Sequence, residues 1–329
     1  MFTRRKSLQS VAGAFAMPFV SQSGRAQNWP TRPVTMVVPF VAGGGTDVIA
    51  RLFATHLSEV LGQQIVVENV GGAGGMTGAI RVARAAPDGS VFLFGGSGTL
   101  AQMQVLYERL AYNALTDFEP VSLVSELPRV LIVRKDLPVR NLAEFIAYSK
   151  ANHSRMQFAS AGPGSGPHVC AELLNIAMGT RITHVPYRGG GPAMNDLIAG
   201  RIDFQCEQLS TALPHIETGK VKAIAMLAIT RSPVAESLPT AHEQGLTDLD
   251  CTTWQAFVFP KGTSRIIVDR LARATSDVMD MRSMRERMLG LGGSVISPDR
   301  RGPDYLSKFL AVEVEKWGKV FKAANIKPE

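Results

Sequence analysis

The chain is poor in the residues that usually announce chemistry. Its 329 residues include three cysteines and six histidines, and charged residues make up only 19%. Three cysteines exclude a disulfide-built scaffold. At most one bridge can form, and the spacing of Cys170, Cys206 and Cys251 suggests none. The same scatter offers no thiolate metal site, and the histidines show no metal-ligand spacing. His242-Glu243 lacks the second histidine of a zinc-protease helix. Gly-x-Gly-x-x-Gly is absent, as is Gly-x-x-x-x-Gly-Lys, which excludes the dinucleotide fingerprint and the phosphate loop. Gly96-Ser97-Gly98 and Gly164-Ser165-Gly166 both fall short of the Gly-x-Ser-x-Gly hydrolase elbow. Neither a metal nor a cofactor is expected. There is no collagen or heptad repeat and no solenoid period. With 45% hydrophobic residues, the chain is too apolar to be disordered.

What is present is a large core and a basic balance. The length suits two domains or one two-lobed body. A net charge of +7 leaves nucleic acid or an anionic ligand open as partner. Part of that charge is an address. Residues 1–26 (MFTRRKSLQSVAGAFAMPFVSQSGRA) join a basic start, Arg4-Arg5-Lys6, to an apolar stretch over 8–20 and small residues at Gly24 and Ala26. This is the pattern of an export signal cleaved after Ala26. The stretch is too short to span a membrane. Thr3–Leu8 approaches a twin-arginine signal, but Ser7 stands where a large apolar residue is usual, so the Sec and twin-arginine routes both stay open. Residues 1–26 hold four cations and no acid. The remaining 303 residues therefore carry 31 basic and 28 acidic groups, a balance of +3. No basic helix or helix-turn-helix is visible, so nucleic acid is not an expected partner.

Past residue 26, apolar β-branched runs alternate with helical periodicity. Val34–Phe40, Ile65–Glu68 and Val91–Phe94 are predicted strands, and Asp47–Leu61 and Thr77–Ala85 are predicted helices, the first ended by Gly62. The alternation resumes with strands at Arg129–Val133, Gln157–Ala159, Ile182–Val185, Ile202–Gln205 and Lys222–Ile229. Helices are expected at Leu142–Ala151, where Asn141 and Glu144 form a capping-box variant, at Pro167–Met178 and at Pro192–Ala199. Trp254–Phe259 is a further strand, followed by helices near 264–280, 282–289 and 303–323. The pattern predicts an α/β fold with a largely parallel sheet in each of two lobes. Residues 27–125 open lobe one, 126–228 build lobe two and 229–329 complete lobe one. The crossings are expected within Ser122–Val133 and Ala223–Thr230.

Four glycine-rich turns share one design, strand then turn then helix start. They are Pro39–Asp47 (PFVAGGGTD), Gly95–Thr99 (GGSGT), Ser160–Pro167 (SAGPGSGP) and Tyr187–Pro192 (YRGGGP). Glycine lets a ligand approach backbone amides closely, and amides at a helix start favour an anion. Thr46, Asp47 and Ser165 are credible N-caps. In a doubly wound fold such turns line the crevice at the carboxyl ends of the strands. Two in each lobe would give a cleft that grips an anion from both sides.

Single residues have more than one reading. Asp47 is either a cap or an acceptor for a ligand hydroxyl or ammonium. His168 could donate to a carboxylate or pack as a bonded core histidine. Tyr187 covers a ligand or anchors its strand, Asp203 reads a ligand's far end or pairs within lobe two, and Arg188 reads as a solvated loop arginine. Trp254 and Phe257 fit a buried strand first and a cleft wall second. Cys170 reads as small and buried, and Met279–Met288 as amphipathic packing.

At these turns the sequence resembles the Bug (TctC-like) solute-binding proteins of tripartite tricarboxylate transport systems. The matching stretches include WPTRPVTMVVPFVAGGGTDVIAR, VVENVGGAGG, FASAGPGSGPH, THVPYRGGGPAMNDLIAGRIDF and ALPHIETGKVKAIA, and they run from Trp29 to Pro328. The resemblance implies a periplasmic, two-lobed type II binding-protein fold that closes over a small carboxylate through turn amides, hydroxyls and bridging waters. Carried over residue by residue, it points to Phe40, Ala42, Gly43, Thr46 and Asp47, then to Ser97 and Thr99. In lobe two it points to Ala161, Gly162, Ser165, Gly166, His168, Tyr187, Gly189, Gly190 and Asp203. Two departures stand out. Leu100 follows Ser97-Gly98-Thr99 where the family often has histidine, and Phe204-Gln205-Cys206-Glu207-Gln208 replaces the more usual aromatic-Asp or aromatic-Asn, with Glu207 set to disfavour a second carboxylate.

The expectation is a non-catalytic, monomeric carrier that delivers an organic carboxylate (a di- or tricarboxylate, an amino acid or an aromatic acid) to a membrane permease. Two rivals use the same turns. One is a periplasmic hydrolase built on Ser97 or Ser165 with His168; the other is a sensory role in which the closed form docks on a sensor kinase.

Overall fold

The structure is a computed structural model that describes residues 29–247 and 249–323. The export segment read at residues 1–26 lies outside them. Among the described residues no helix is long and apolar enough to cross a membrane.

Two sheets organise the chain. The first is assembled from β1 (Val34–Val38), β2 (Ile65–Asn69), β3 (Val91–Gly96), β4 (Phe118–Leu127), β10 (Thr253–Pro260) and the short β11 (Ser294–Val295). Its order is β11-β4-β10-β3-β1-β2. The second holds β5 (Arg129–Arg134), β6 (Gln157–Ser160), β7 (Thr183–Pro186), β8 (Phe204–Gln208) and β9 (Val221–Met226), in the order β7-β6-β8-β5-β9. The sheets are mixed rather than largely parallel. β1 runs parallel to β2 and β3, but β10 pairs antiparallel with both β3 and β4. In the second sheet β6 is parallel to β7 and β8, while β5 lies antiparallel to β8 and β9. The reversed strands are those at the crossings: β5 is the strand by which the chain enters the second sheet, and β10 the strand by which it returns to the first.

Helices cover both sheets: α1 (Gly45–Leu61), α2 (Met76–Ala83), the single turn α3 (Met103–Leu106), α4 (Leu142–Asn152), α5 (Gly166–Met178), α6 (Gly190–Ile198), α7 (Leu209–Glu217), α8 (Arg265–Asp280), α9 (Arg282–Gly290) and α10 (Pro303–Ala323). The capping box at α4 forms as read, with the Glu144 amide donating to Asn141 Oδ1 at 2.9 Å and the Arg140 amide donating to Glu144 Oε2 at 2.8 Å. Gly62 closes α1 in the left-handed conformation at φ 68°. β4 and α7 were not expected as elements. β4 overlaps Ser122–Val133, the segment read as a crossing, and α7 contains Pro214, which argues against a helix in sequence.

The first sheet's core is aromatic: Phe53, Phe92, Phe94, Phe257 and Phe259 pack edge-on or tilted with centroids 5.2–6.3 Å apart. The second sheet is flanked by separate clusters around Phe145, Phe158 and Phe204 and around Val130, Ile132 and Leu197. The outward crossing is tight, because β4 ends at Leu127 and β5 begins at Arg129. Packing places the return later than 223–230. Val234, Ala235 and Leu238 lie on one flank of the second sheet, and Ala241, Leu249 and Cys251 on the other, before Thr253 opens β10.

Cys170 is not simply a small buried residue. It is bonded to Cys251, with Cα atoms 5.7 Å apart across 81 residues of sequence. Spacing could not suggest this pair, since the contact exists only once α5 and the segment before β10 are folded together. The bridge ties α5 to the returning strand. Cys206 is free and buried.

Candidate ligand-binding site

All four glycine turns converge at the carboxyl ends of their strands. The cavity between the sheets is lined from the first by Phe40, Gly44, Gly45, Thr46, Gly96, Ser97, Gly98, Thr99, Thr253 and Gln255. The second sheet contributes Arg129, Ala161, Gly166, Pro167, Gly190, Glu207 and Gln208. About 50 Å³ is open to the centre of a water-sized sphere. One water needs roughly 10–15 Å³ on that measure, so the space suits a small acid and not a dinucleotide.

The two walls touch. A β-carbon built on Gly98 would stand 3.1 Å from the Gly166 amide nitrogen, and one on Gly44 would stand 3.7 Å from that of Gly190. One on Gly45 would overlap Gln208 Oε1. At these glycines the backbones of the two walls are in near van der Waals contact, so the molecule is in a closed form.

Of the residues singled out from sequence, Phe40, Thr46, Ser97, Thr99, Ala161, Gly166 and Gly190 line the cavity. The others do not line it, and Asp203 stands at the opposite end of β6 and β8 from the cavity. Ala42 and Gly43 lie exposed on the outer side of the first turn. Asp47 is not an N-cap; Gly44 holds that position. Asp47 accepts from the Gly43 amide at 3.0 Å, Arg51 Nε at 3.0 Å and Asn69 Nδ2 at 2.9 Å. Burial alone would raise its carboxyl, but those bonds outweigh burial and hold it below the usual range. The side chain therefore braces the turn from behind.

Ser165 sits at the N-cap of α5 without capping it, since its Oγ donates to the Gly162 carbonyl at 2.6 Å. Ser97 Oγ lies 3.0 Å from Thr253 Oγ1. Neither serine is bonded to a histidine; the one under the third turn that is, Ser160, meets His184 Nε2 at 2.6 Å. Tyr187 donates to Asp196 Oδ2 at 2.7 Å, which anchors the fourth turn to α6. Gly189 packs on Val41, and Gly162, at φ 110°, packs on Gly74 of the opposite wall. Asp203 accepts from Arg134 Nε at 2.9 Å and the Gln157 amide at 2.7 Å, so it pairs within the second lobe.

His168 accepts from the Gly164 amide through Nδ1 at 3.1 Å, with Nε2 3.8 Å from Glu172. Its ring stacks on His184 at 4.1 Å. Burial pushes both imidazoles down to about 4, and His184 also feels His168. In the unfolded chain each titrates near 6.5. The unfolded state thus binds protons first as pH falls, and the stability present above pH 6.5 drains away between there and about pH 4. The loss for the pair is on the order of a few kcal/mol. Urea midpoints measured from pH 7.5 to 4.5 should fall across this window, and less steeply in His184→Gln. A flat wild-type profile would contradict it.

Of the polar floor of the cavity, sequence reasoning marked only Glu207 and its neighbours, as a departure from the family pattern, and it missed Arg129, Thr253 and Gln255. Arg129 is 4% exposed, Glu207 3%, Gln208 5%, Thr253 4% and Gln255 1%. Burial pushes Arg129 down and Glu207 up, and the attraction between them opposes both shifts. Two signals were available. Arg129 opens a strand with an apolar interior, RVLIVR, and Thr253 and Gln255 alternate on one face of TWQAFVFP.

The model of the tripartite tricarboxylate transporter family receptor, TctC, matches residues 49–326. The chain belongs to this family. A UPF0065 protein of Agrobacterium vitis, named for the TAR-I ttuE-ttuC' intergenic region, is 40% identical over 95% of this chain and 89% of its own. Protein BugT of Bordetella pertussis is 34% identical over 97% of this chain and 98% of its own. Among solved structures, the periplasmic binding protein BugD superposes with a TM-score of 0.89 at 38% identity, covering 92% of this chain and all of that one. MatC from Rhodopseudomonas palustris, with bound malate, gives 0.86 at 39%, covering 89% and 99%. A further R. palustris protein, with adipate, gives 0.87 at 33%, covering 92% and 100%. The two-lobed binding-protein fold that the resemblance implied is therefore the fold of this chain.

Proposed function

We propose that the protein is a periplasmic solute-binding protein that captures a small organic carboxylate between its lobes and delivers it to the membrane permease of a tripartite tricarboxylate transporter. The observation that carries this reading is the closed cleft, in which glycine turns from both sheets meet around a buried arginine. Closure requires better contacts with ligand in the closed state than in the open one, and half-sites on facing walls supply that difference. The malate and adipate held by its structural neighbours support a carboxylate as ligand. The export pattern of residues 1–26 and a disulfide at home in an oxidising compartment support the location. On this reading the lobes hinge at Pro128 and again just before Thr253.

A micromolar dissociation constant corresponds to about 8 kcal/mol, within reach of a few charge-assisted hydrogen bonds at roughly 1.5–3 kcal/mol each. Trp254 lies between the cleft residues Thr253 and Gln255 and donates to the buried Glu313 at 2.7 Å, so closure has a reporter. Calorimetry and tryptophan fluorescence against small mono-, di- and tricarboxylates should reveal micromolar binding by at least one acid. Mass spectrometry of the gently purified protein should find that acid carried along. Failure of every acid in both measurements would overturn the proposal.

A further inference from the structure

The floor of the cleft holds hydrogen-bonding capacity that the protein itself leaves unused. Arg129 Nη1 and Gln255 Nε2 are buried donors without a partner, and Gln208 Oε1 is a buried acceptor without one. All three residues line the cavity. Gln255 is fixed by its other end, since Ser125 Oγ donates to its Oε1 at 2.8 Å. Arg129 is pinned against Gly166, whose α-hydrogen side leaves no room for a β-carbon beside Nη2.

Glu207 faces this group. Its Oε1 accepts from the Gln208 amide at 2.8 Å, its Oε2 accepts from Gln205 Nε2, and Oε2 abuts Gly190 at the start of α6. A carboxylate has about four acceptor positions, so Glu207 keeps capacity of its own. A buried donor or acceptor left unmade is costly, and a buried charge more so. A ligand that fits must therefore bring an anion for Arg129 and Gln255 and, close beside it, a donor for Gln208 and Glu207. An unsubstituted dicarboxylate brings acceptors only. It would leave Gln208 unmet and set its second charge toward Glu207.

We propose that Arg129 and Glu207 form the specificity pair of this cleft and select carboxylates that carry a hydroxyl or ammonium donor next to the carboxylate over the unsubstituted acid of the same length. This rests on the solute-binding reading above and deepens it.

The test uses two series in which only that substituent changes: succinate, malate and aspartate, then glutarate, 2-hydroxyglutarate and glutamate. With the full-length protein, at least one substituted acid should bind about tenfold or more tighter than its unsubstituted partner, the scale of one buried hydrogen bond to a charged group. Glu207→Gln should shrink that ratio, most for the ammonium acids, which separates the two donors. Arg129→Met should weaken every acid by roughly thirtyfold or more, and Arg129→Lys should recover part of the loss. Melting curves of the variants exclude misfolding as the cause. If wild type binds the acids with ratios near one, or if the ratios ignore both substitutions, the specificity pair is overturned while the solute-binding reading stands. If wild type binds no acid of either series or of the wider panel, both fall.

Discussion

Replacing Gly98 by valine should weaken acid binding by about a hundredfold or more while leaving the melting temperature nearly unchanged. Gly98 opens a π-helical turn over Gly98–Gln102. Its β-carbon would face the second lobe across the cleft, 3.1 Å from the Gly166 amide nitrogen and 3.6 Å from both the Gly164 carbonyl oxygen and Ser165 Cα. Those are backbone atoms, which cannot swing aside as a side chain would. The branched methyls of valine then have no space unless the lobes part. Apparent affinity scales with the fraction of molecules able to close, and a hundredfold loss needs only about 2.7 kcal/mol against closure. The three atoms nearest that β-carbon all belong to the second lobe, so folding should tolerate the change better than closure does. Gly98→Ala should lie between valine and wild type. Calorimetry gives the affinities, and solution scattering at saturating acid should show the valine variant failing to compact. Wild-type affinity in Gly98→Val would mean that the walls do not meet in the bound state.

Loss of the Cys170–Cys251 bridge should cost on the order of 4 kcal/mol. The bridge closes a loop of 81 residues, and loop-closure entropy for that length is about 4–5 kcal/mol, against roughly 2–5 measured for native disulfides. For a chain of this size that is a drop of roughly 5–15 °C in melting temperature. The bridge joins α5, which carries the third glycine turn at its start, to the strand that returns beside the cleft, so its removal should also weaken binding. Cys170→Ser/Cys251→Ser and reduced wild type should behave alike. Cys206 does not confuse the experiment: burial pushes its thiol up to about 12, and a thiol reagent should leave it unmodified in the native protein. A double-serine variant that melts with wild type would show that the bridge contributes no stability.

Much of this molecule is legible in sequence because its signals are local. Val34–Val38 and Ile65–Asn69 are apolar β-branched runs next to helices with clear periodicity and capping residues, and each element was found to within a few residues. The glycine turns were legible for the same reason, since a strand–glycine–helix junction is a local pattern. The errors share a cause too. β4 and α7 were missed where local chemistry argues the other way, and tertiary packing overrode it.

The cleft floor was out of reach for a different reason. Arg129, Glu207, Gln208 and Gln255 stand on three strands separated by scores of residues; Glu207 was marked as unusual, but nothing local joins it to Arg129 or Gln255. The same holds for Cys170 and Cys251. Asp47, Ser165, His168, Tyr187 and Asp203 were singled out for a ligand, yet their hydrogen bonds are made within the protein: the first four brace the turns and Asp203 pairs with Arg134. By itself the sequence determined the two α/β lobes and the four turns, because backbone preference and hydrophobic period act over a few residues. Only the tertiary structure decided which walls meet and which cysteines join. It also decided which buried charges share the cleft, since burial and pairing are properties of residues brought together from distant parts of the chain.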